Sequence, residues 1–212
     1  VHGDDLVDHR TWVVAGDGCL MEGINHEAIG LAGHLNLGRL NVLWDDNRIT
    51  IDGATDLSSS EDIKARYIAT GWHVTECDGH DFADIDRALQ EAKADPRPSL
   101  VACRTLIGKG APNKQGTSGV HGAALGGAEV AAARETLGWA HEPFVVPSEI
   151  LADWHMAAEP GRAAHGAWAG RLEASDKRDA FLAQMAPITD LVPAAIEAYV
   201  RGLAATPQKV AT

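Results

Sequence analysis

Apolar positions in the first half of the chain alternate between two patterns. Short β-prone runs at residues 11–15, 40–44, 72–77 and 99–106 read as strands. The first is cut off by Gly16 and reads as a buried parallel strand, the second is a similar apolar run, and 72–77 alternates. Between these runs the apolar spacing becomes helical. Ile24, Ala28, Leu31 and Leu35 recur along residues 21–37, with Gly38 placed as a C-cap, and this predicts an amphipathic helix of about four turns. Ser58, Ser59 and Ser60 followed by Glu61 and Asp62 look like a helix start, continuing through Ile63, Tyr67 and Ile68 to Gly71. Asp81 opens another helix, carrying Phe82, Ile85 and Leu89 and closed near Pro96 and Pro98. This order predicts an α/β fold, an open, mainly parallel sheet with helices on both faces. A right-handed crossover puts the ends of the first two strands on the same edge.

Residues 107–127 break the pattern, because Gly108, Gly110, Gly116, Gly119, Gly122, Gly126 and Gly127 interrupt any periodicity. They predict a long loop of the kind that often carries function. A helix over about 128–137 follows, then a boundary marked by Pro143 and Pro147. From Ser148 the chain becomes an Ala-rich helical tail in which Trp154, Met156 and Trp168 are expected to pack. The division is therefore residues 1–147 as the sheet domain and 148–212 as the tail.

Composition allows one sizeable domain with an appendage, since 45% of the 212 residues are hydrophobic. Thirty acidic against eighteen basic residues give a net charge of -12, which repels nucleic acid and anionic lipid, so neither is expected as a partner. Cys19, Cys77 and Cys103 show no paired spacing, so neither a disulfide framework nor a zinc site is indicated, and a reducing cytoplasm fits best. No apolar run approaches the roughly 20 residues that span a bilayer. The chain opens on Val1 and enters a strand almost at once, which suggests a piece of a longer protein. An acidic chain that holds a phosphorylated ligand needs backbone NH groups, a helix N-terminus or a bound cation to do so.

Candidate chemistry lies at the first two strand ends. Asp17, within Gly16-Asp17-Gly18, and Asn47, within Asp45-Asp46-Asn47, each fall just past a strand, where ligands of open parallel sheets bind. Adjacent strands lie about 4.8 Å apart, so a carboxylate and a carboxamide there can converge on one small cation. Magnesium takes roughly six oxygens at about 2.1 Å and usually shares them with phosphates. Gly16 and Gly18 let the backbone approach such phosphates, and the helix after Gly18 offers its N-terminus. A calcium loop starting at Asp45 is the competing reading, but it wants an oxygen ligand at Ile49 and a glycine at Thr50. His26 and His34 read as helix-surface or core-edge residues, His80 as part of a turn, and Trp44 and Trp72 as core.

Gly16-Asp17-Gly18 followed after about thirty residues by Asn47 resembles the thiamine-diphosphate motif. The longer strings GDGCLMEGINHEA, DDNRITIDG, GWHVTECDGHD, IGKGAPNKQGT and VHGAALG are similar to transketolases, over roughly residues 11–150. One departure is Ala124, where the family often has proline.

The resemblance implies the later part of a thiamine-diphosphate-binding fold, incomplete at its N-terminal side, with residues 148–212 leading toward a pyrimidine-binding domain. It implies an enzyme of the pentose phosphate pathway that moves a two-carbon ketol unit from a ketose phosphate to an aldose phosphate. Its cofactors would be thiamine diphosphate and magnesium, with calcium or manganese able to substitute, and the full-length protein would be a homodimer. Carried over by position, Asp17 and Asn47 bind the metal by side chain and Ile49 by its backbone carbonyl. Gly16 and Gly18 face the diphosphate, and Gly18 gives it an NH. Glu22 corresponds to a carboxylate near the dimer interface that supports cofactor activation. His121 corresponds to a histidine contacting diphosphate and substrate, placed to assist proton movement. The family's other active-site groups lie outside residues 1–212, which alone are expected to be inactive. Two rival readings are a dihydroxyacetone synthase-like transferase and a non-catalytic or split subunit that retains the fold.

Overall fold

The computed structural model describes residues 2–187 and 191–206, so the final stretch of the expected tail, 207–212, and residues 188–190 lie outside the described residues. The chain divides into two compact units. One is His9–Pro147, and the other joins the residues up to Asp8 with those from Ser148 onward.

In His9–Pro147 the described residues form a four-stranded sheet of β1 (Thr11–Gly16), β2 (Leu40–Asp46), β3 (His73–Asp78) and β4 (Ser99–Arg104), in the order β1-β2-β4-β3. Every pairing is parallel, and the register sets Gly16 beside Asp45 and Asp45 beside Cys103. The second strand is thus longer than its apolar run, and it carries both aspartates to the sheet edge.

Alternation along β2 sends Val42 and Trp44 to one face and Leu43 to the other. On the first face Leu20, Ile29, Ala32, Tyr67 and Trp72 pack against Ala15, Val42, Trp44, Leu100 and Ala102. These come largely from α1 (Asp17–Met21), α2 (Gly23–His34) and α3 (Ile63–Ala69). On the second face α4 (Phe82–Ala94) sets Ala88 and Ala92 against Cys77 and Val101. Helices therefore lie on both faces, as the strand-helix order predicts. Trp44 and Trp72 are both core.

The helix expected over 21–37 is the shorter α2, Gly23–His34 with Leu35 as its C-cap, and a separate short helix, α1, precedes it. Glu22 adopts an extended conformation (φ −66, ψ 139) and ends α1 after five residues. The expected stripe also faces the wrong way, with Ile24, Leu31 and Leu35 exposed and Ile29 and Ala32 turned inward. The whole stripe lies after the break at Glu22, and it is the small residues Ala32 and Gly33 beside Ile29 that let the other side of α2 lie close to its neighbours. A Cβ at Gly33 would sit 1.8 Å from the Thr70 carbonyl oxygen. The Trp72 indole, in turn, donates to the Ile29 carbonyl at 2.9 Å.

Aspartates set the next two helix starts. The Asp62 side chain accepts from the Ala65 amide at 2.9 Å, placing the start of α3 after the serines, and Asp81 accepts from the Ala83 amide at 2.9 Å at the head of α4. Residues beyond β4 run as a loop with one 3-10 turn, Ser118–Val120, before α5 (Gly127–Thr136).

The second unit contains α6 (Ser148–Ala174), α7 (Arg178–Met185) and α8 (Leu191–Ala205). Trp168 meets Phe181 with ring centroids 6.1 Å apart, and its indole donates to the Leu6 carbonyl at 2.9 Å. Arg171 donates to the Asp5 carbonyl at 2.9 Å, and Leu6 and Leu172 are buried. Trp154 and Met156, expected to pack, are exposed at 72% and 63%. The opening segment reaches α6 near Trp168 and Arg171, well beyond the turns that carry Trp154 and Met156. Among the described residues no helix is long and apolar enough to cross a membrane.

Candidate functional site

Beyond the carboxyl ends of β1 and β2 lies an open cavity of about 780 Å³, a size that suits a small-molecule ligand. Its lining includes Gly16, Asp17, Gly18, Glu22, Asn47, Ile49 and His121, so every residue selected from the sequence meets at one place. Asp45, Ile107 and Val120 line it as well. Three segments contribute: the β1–α1 turn, the chain leaving β2, and the glycine-rich loop.

Asp17 opens α1 and is 7% exposed. One carboxylate oxygen accepts from the Trp44 indole at 3.2 Å, and the other accepts from the Arg48 amide at 2.9 Å. Burial pushes the carboxyl above its usual range, and repulsion from Asp46 adds to this, while the bond from Trp44 and the amides of Arg48 and Asn47 pull it back. A carboxylate so held still has lone pairs for a cation. Arg48 sits at φ 60, in the left-handed region, which returns its amide to Asp17. Its neighbours Asn47 and Ile49 both line the cavity.

Asn47 is fixed on both sides. Its carbonyl oxygen accepts from the Ile49 amide at 2.9 Å, and its NH2 donates to Asp45 at 3.0 Å. The other Asp45 oxygen accepts from the Thr105 hydroxyl. Asp45 and Trp44 are thus parts of the site that the sequence reading does not assign. The available signal is the extension of β2 through Asp45-Asp46, which carries both neighbours of the metal candidates to the sheet edge.

A Cβ built at Gly16 or Gly18 would meet no atom within 4 Å apart from adjoining backbone, so open space and not packing against other elements surrounds these two positions. That space is where a ligand can approach the backbone. The helix-terminus reading is weakened, because a five-residue α1 carries little macrodipole. Glu22 is exposed at the junction of α1 and α2, where its carbonyl accepts from the Asn25 amide at 3.0 Å. His121 follows the 3-10 turn, its ring exposed and its amide bonded to the Ser118 carbonyl at 3.0 Å.

The other histidines stand apart from this cavity. His26 lies against Arg66, His34 is exposed at the end of α2, and His80, in the turn before α4, accepts from the amide of Leu106, beyond β4, at 2.9 Å. Among the described residues no three His, Cys, Asp or Glu side chains gather as a ready-made metal cage. The donors present are a buried carboxylate, a carboxamide oxygen and backbone. That set fits a small hard cation that draws its remaining oxygens from a phosphate ligand.

Residues 1–190 match the family described as transketolase, thiamine diphosphate binding domain. This chain belongs to the transketolase family. The transketolase of Cereibacter sphaeroides is 58% identical over 211 residues, which is 100% of this chain and 32% of that relative. The chain thus spans about a third of the length of the curated transketolases of Cereibacter sphaeroides and Rhodobacter capsulatus. The crystal structure of Campylobacter jejuni transketolase superposes with a TM-score of 0.80 at 36% identity, covering 84% of this chain and 28% of that one. A Pichia stipitis transketolase solved with sedoheptulose-7-phosphate gives 0.74 at 41% identity, covering 78% of this chain and 25% of that one. The transketolase match continues past Pro147, so the first part of the helical tail belongs to the matched region.

Proposed function

We propose that this chain supplies the metal-and-diphosphate side of the cofactor site in a transketolase that transfers a two-carbon ketol unit between sugar phosphates. The observation that carries the reading is the convergence of Asp17, Asn47 and Ile49 on one cavity that Gly16, Gly18 and His121 also line. Thiamine diphosphate, when bound, supplies the electron sink that the transfer needs. The chain's own residues hold and orient. Asp17 and Asn47 would grip a magnesium ion by side chain and Ile49 by its carbonyl, with calcium or manganese as substitutes. Gly18 would donate its NH to the diphosphate.

His121, exposed on the cavity rim, would hydrogen-bond the ligand and move a proton near the reacting carbons. Sugar phosphates as substrates are supported by the Pichia stipitis relative, whose structure holds sedoheptulose-7-phosphate. A homodimer is supported by the exposed Ile24 and Leu31 on α2 and Leu35 at its C-cap, on the helix that Glu22 caps at its start. Cys77 and Cys103 stand in register on neighbouring strands as free thiols, which suits a reducing cytoplasm. We take residues 1–147 as the later part of the diphosphate-binding domain and the tail as leading toward the next one.

The test is a magnesium-dependent titration of the full-length protein with thiamine diphosphate, comparing the parent with Asp17→Ala. Loss of a metal ligand is expected to weaken affinity at least roughly tenfold. Equal affinities would remove Asp17 from the metal site.

A further inference from the structure

The glycine-rich loop that carries His121 belongs to no strand or long helix, yet it is tied down at chosen points. The Gly116 amide donates to the Ile107 carbonyl at 2.8 Å, closing a first lobe. The second lobe holds His121 and is pinned at its two ends by charged groups. Glu129, in the first turn of α5, is 7% exposed, and its two oxygens accept separately from the Asn113 amide and the Asn113 NH2, each at 2.9 Å. The next residue, Lys114, donates from Nζ to the carbonyl of Leu125, eleven residues on, at 2.8 Å. His121 lies between these ends, and its backbone amide bonds locally, to the Ser118 carbonyl.

Charge-assisted bonds of this kind are about twice as strong as neutral ones, and leaving a buried carboxylate unpartnered is costly. Joining the ends of a flexible lobe also removes freedom that its middle residue would otherwise have. Glu129 and Lys114 do not line the cavity, whereas Val120 and His121 do.

We propose that Glu129, Asn113, Lys114 and the Leu125 carbonyl form a clamp that presents His121 to the cavity, with Lys114 and Glu129 as positioning residues. The role given to His121 rests on the cofactor-site reading above; the clamp itself does not.

The experiment uses the full-length protein and the variants Lys114→Met, Lys114→Arg, Glu129→Gln, His121→Ala and the Lys114→Met/His121→Ala double. Without any ligand, amide hydrogen exchange over residues 117–125 is expected to rise about tenfold in Lys114→Met and Glu129→Gln. Exchange in the sheet stays at the parent rate, and Lys114→Arg restores the loop. With thiamine diphosphate and magnesium, Lys114→Met is expected to lower kcat/KM for ketol transfer roughly tenfold, and to add nothing in the His121→Ala background. Unchanged loop exchange in Lys114→Met overturns the clamp, as do losses that multiply in the double variant. If Glu129→Gln fails to fold, the Lys114 variants decide. A parent protein without magnesium-dependent cofactor binding removes the cofactor reading, and the exchange data alone then judge the clamp.

Discussion

Between Asn47 and Ile49 the chain passes through Arg48 at φ 60, a conformation that costs a non-glycine residue about 1 kcal/mol. The cost is set against the charge-assisted bond from the Arg48 amide to Asp17. The side chain adds little, being 70% exposed and 4.0 Å from Asp46, where surface pairs contribute about 0–1 kcal/mol. Arg48→Gly is therefore expected to leave magnesium-dependent cofactor affinity within about threefold of the parent. Arg48→Pro, which loses the NH and fixes φ near −65°, is expected to weaken it at least tenfold or so. Parallel titrations measure both, and equal effects would mean that the amide is not what matters. At this scale Asp17 and Asn47 were legible because each follows a strand end, a position with a known use in parallel sheets. Their partners were not. Trp44 reads as core, which it is, and nothing in the linear order shows that its NH reaches Asp17. Glu129 is equally silent, since a first-turn glutamate ordinarily faces water.

Among the elements, the strands were legible and the phase of α2 was not. Short apolar runs mark where strands lie without fixing how deeply: β1, expected to be buried, is an edge strand of the described sheet with Trp12 and Val13 39% and Val14 75% exposed, because only β2 pairs with it. A helix must also be oriented, and on α2 the large apolar residues point away from the sheet while Ile29, Ala32 and Gly33 approach it. If α2 meets a second subunit, as proposed, its outer stripe is apolar for that reason, and periodicity cannot tell the two burials apart. The inner side depends on Gly33. Replacing it with alanine brings a Cβ to within 1.8 Å of the Thr70 carbonyl oxygen, a backbone atom that cannot swing aside. The alanine gains about 1 kcal/mol of helix propensity, but forcing α2 away from α3 costs about 1–3 kcal/mol or more. Gly33→Ala is expected to lower the urea midpoint of unfolding. A midpoint equal to the parent's would show that α2 shifts freely.

For the whole molecule the strand order β1-β2-β4-β3 has a consequence in time. β4 is made last of the four, yet it lies between β2 and β3, pairing with each along Ser99–Arg104. During synthesis, then, β2 and β3 each present an open edge that no earlier strand fills, and open edges are templates for other chains. Long-range parallel pairing of this kind also forms slowly, because a loop must close before any contact rewards it. Pulsed hydrogen exchange during refolding should find the amides of β2 and β3 that face β4 protected together, in the same phase as β4. Protection of either strand ahead of β4 would contradict this. The strand that sets Cys103 and Arg104 beside the two aspartates would then be both the neighbour of the site and the step on which its assembly waits.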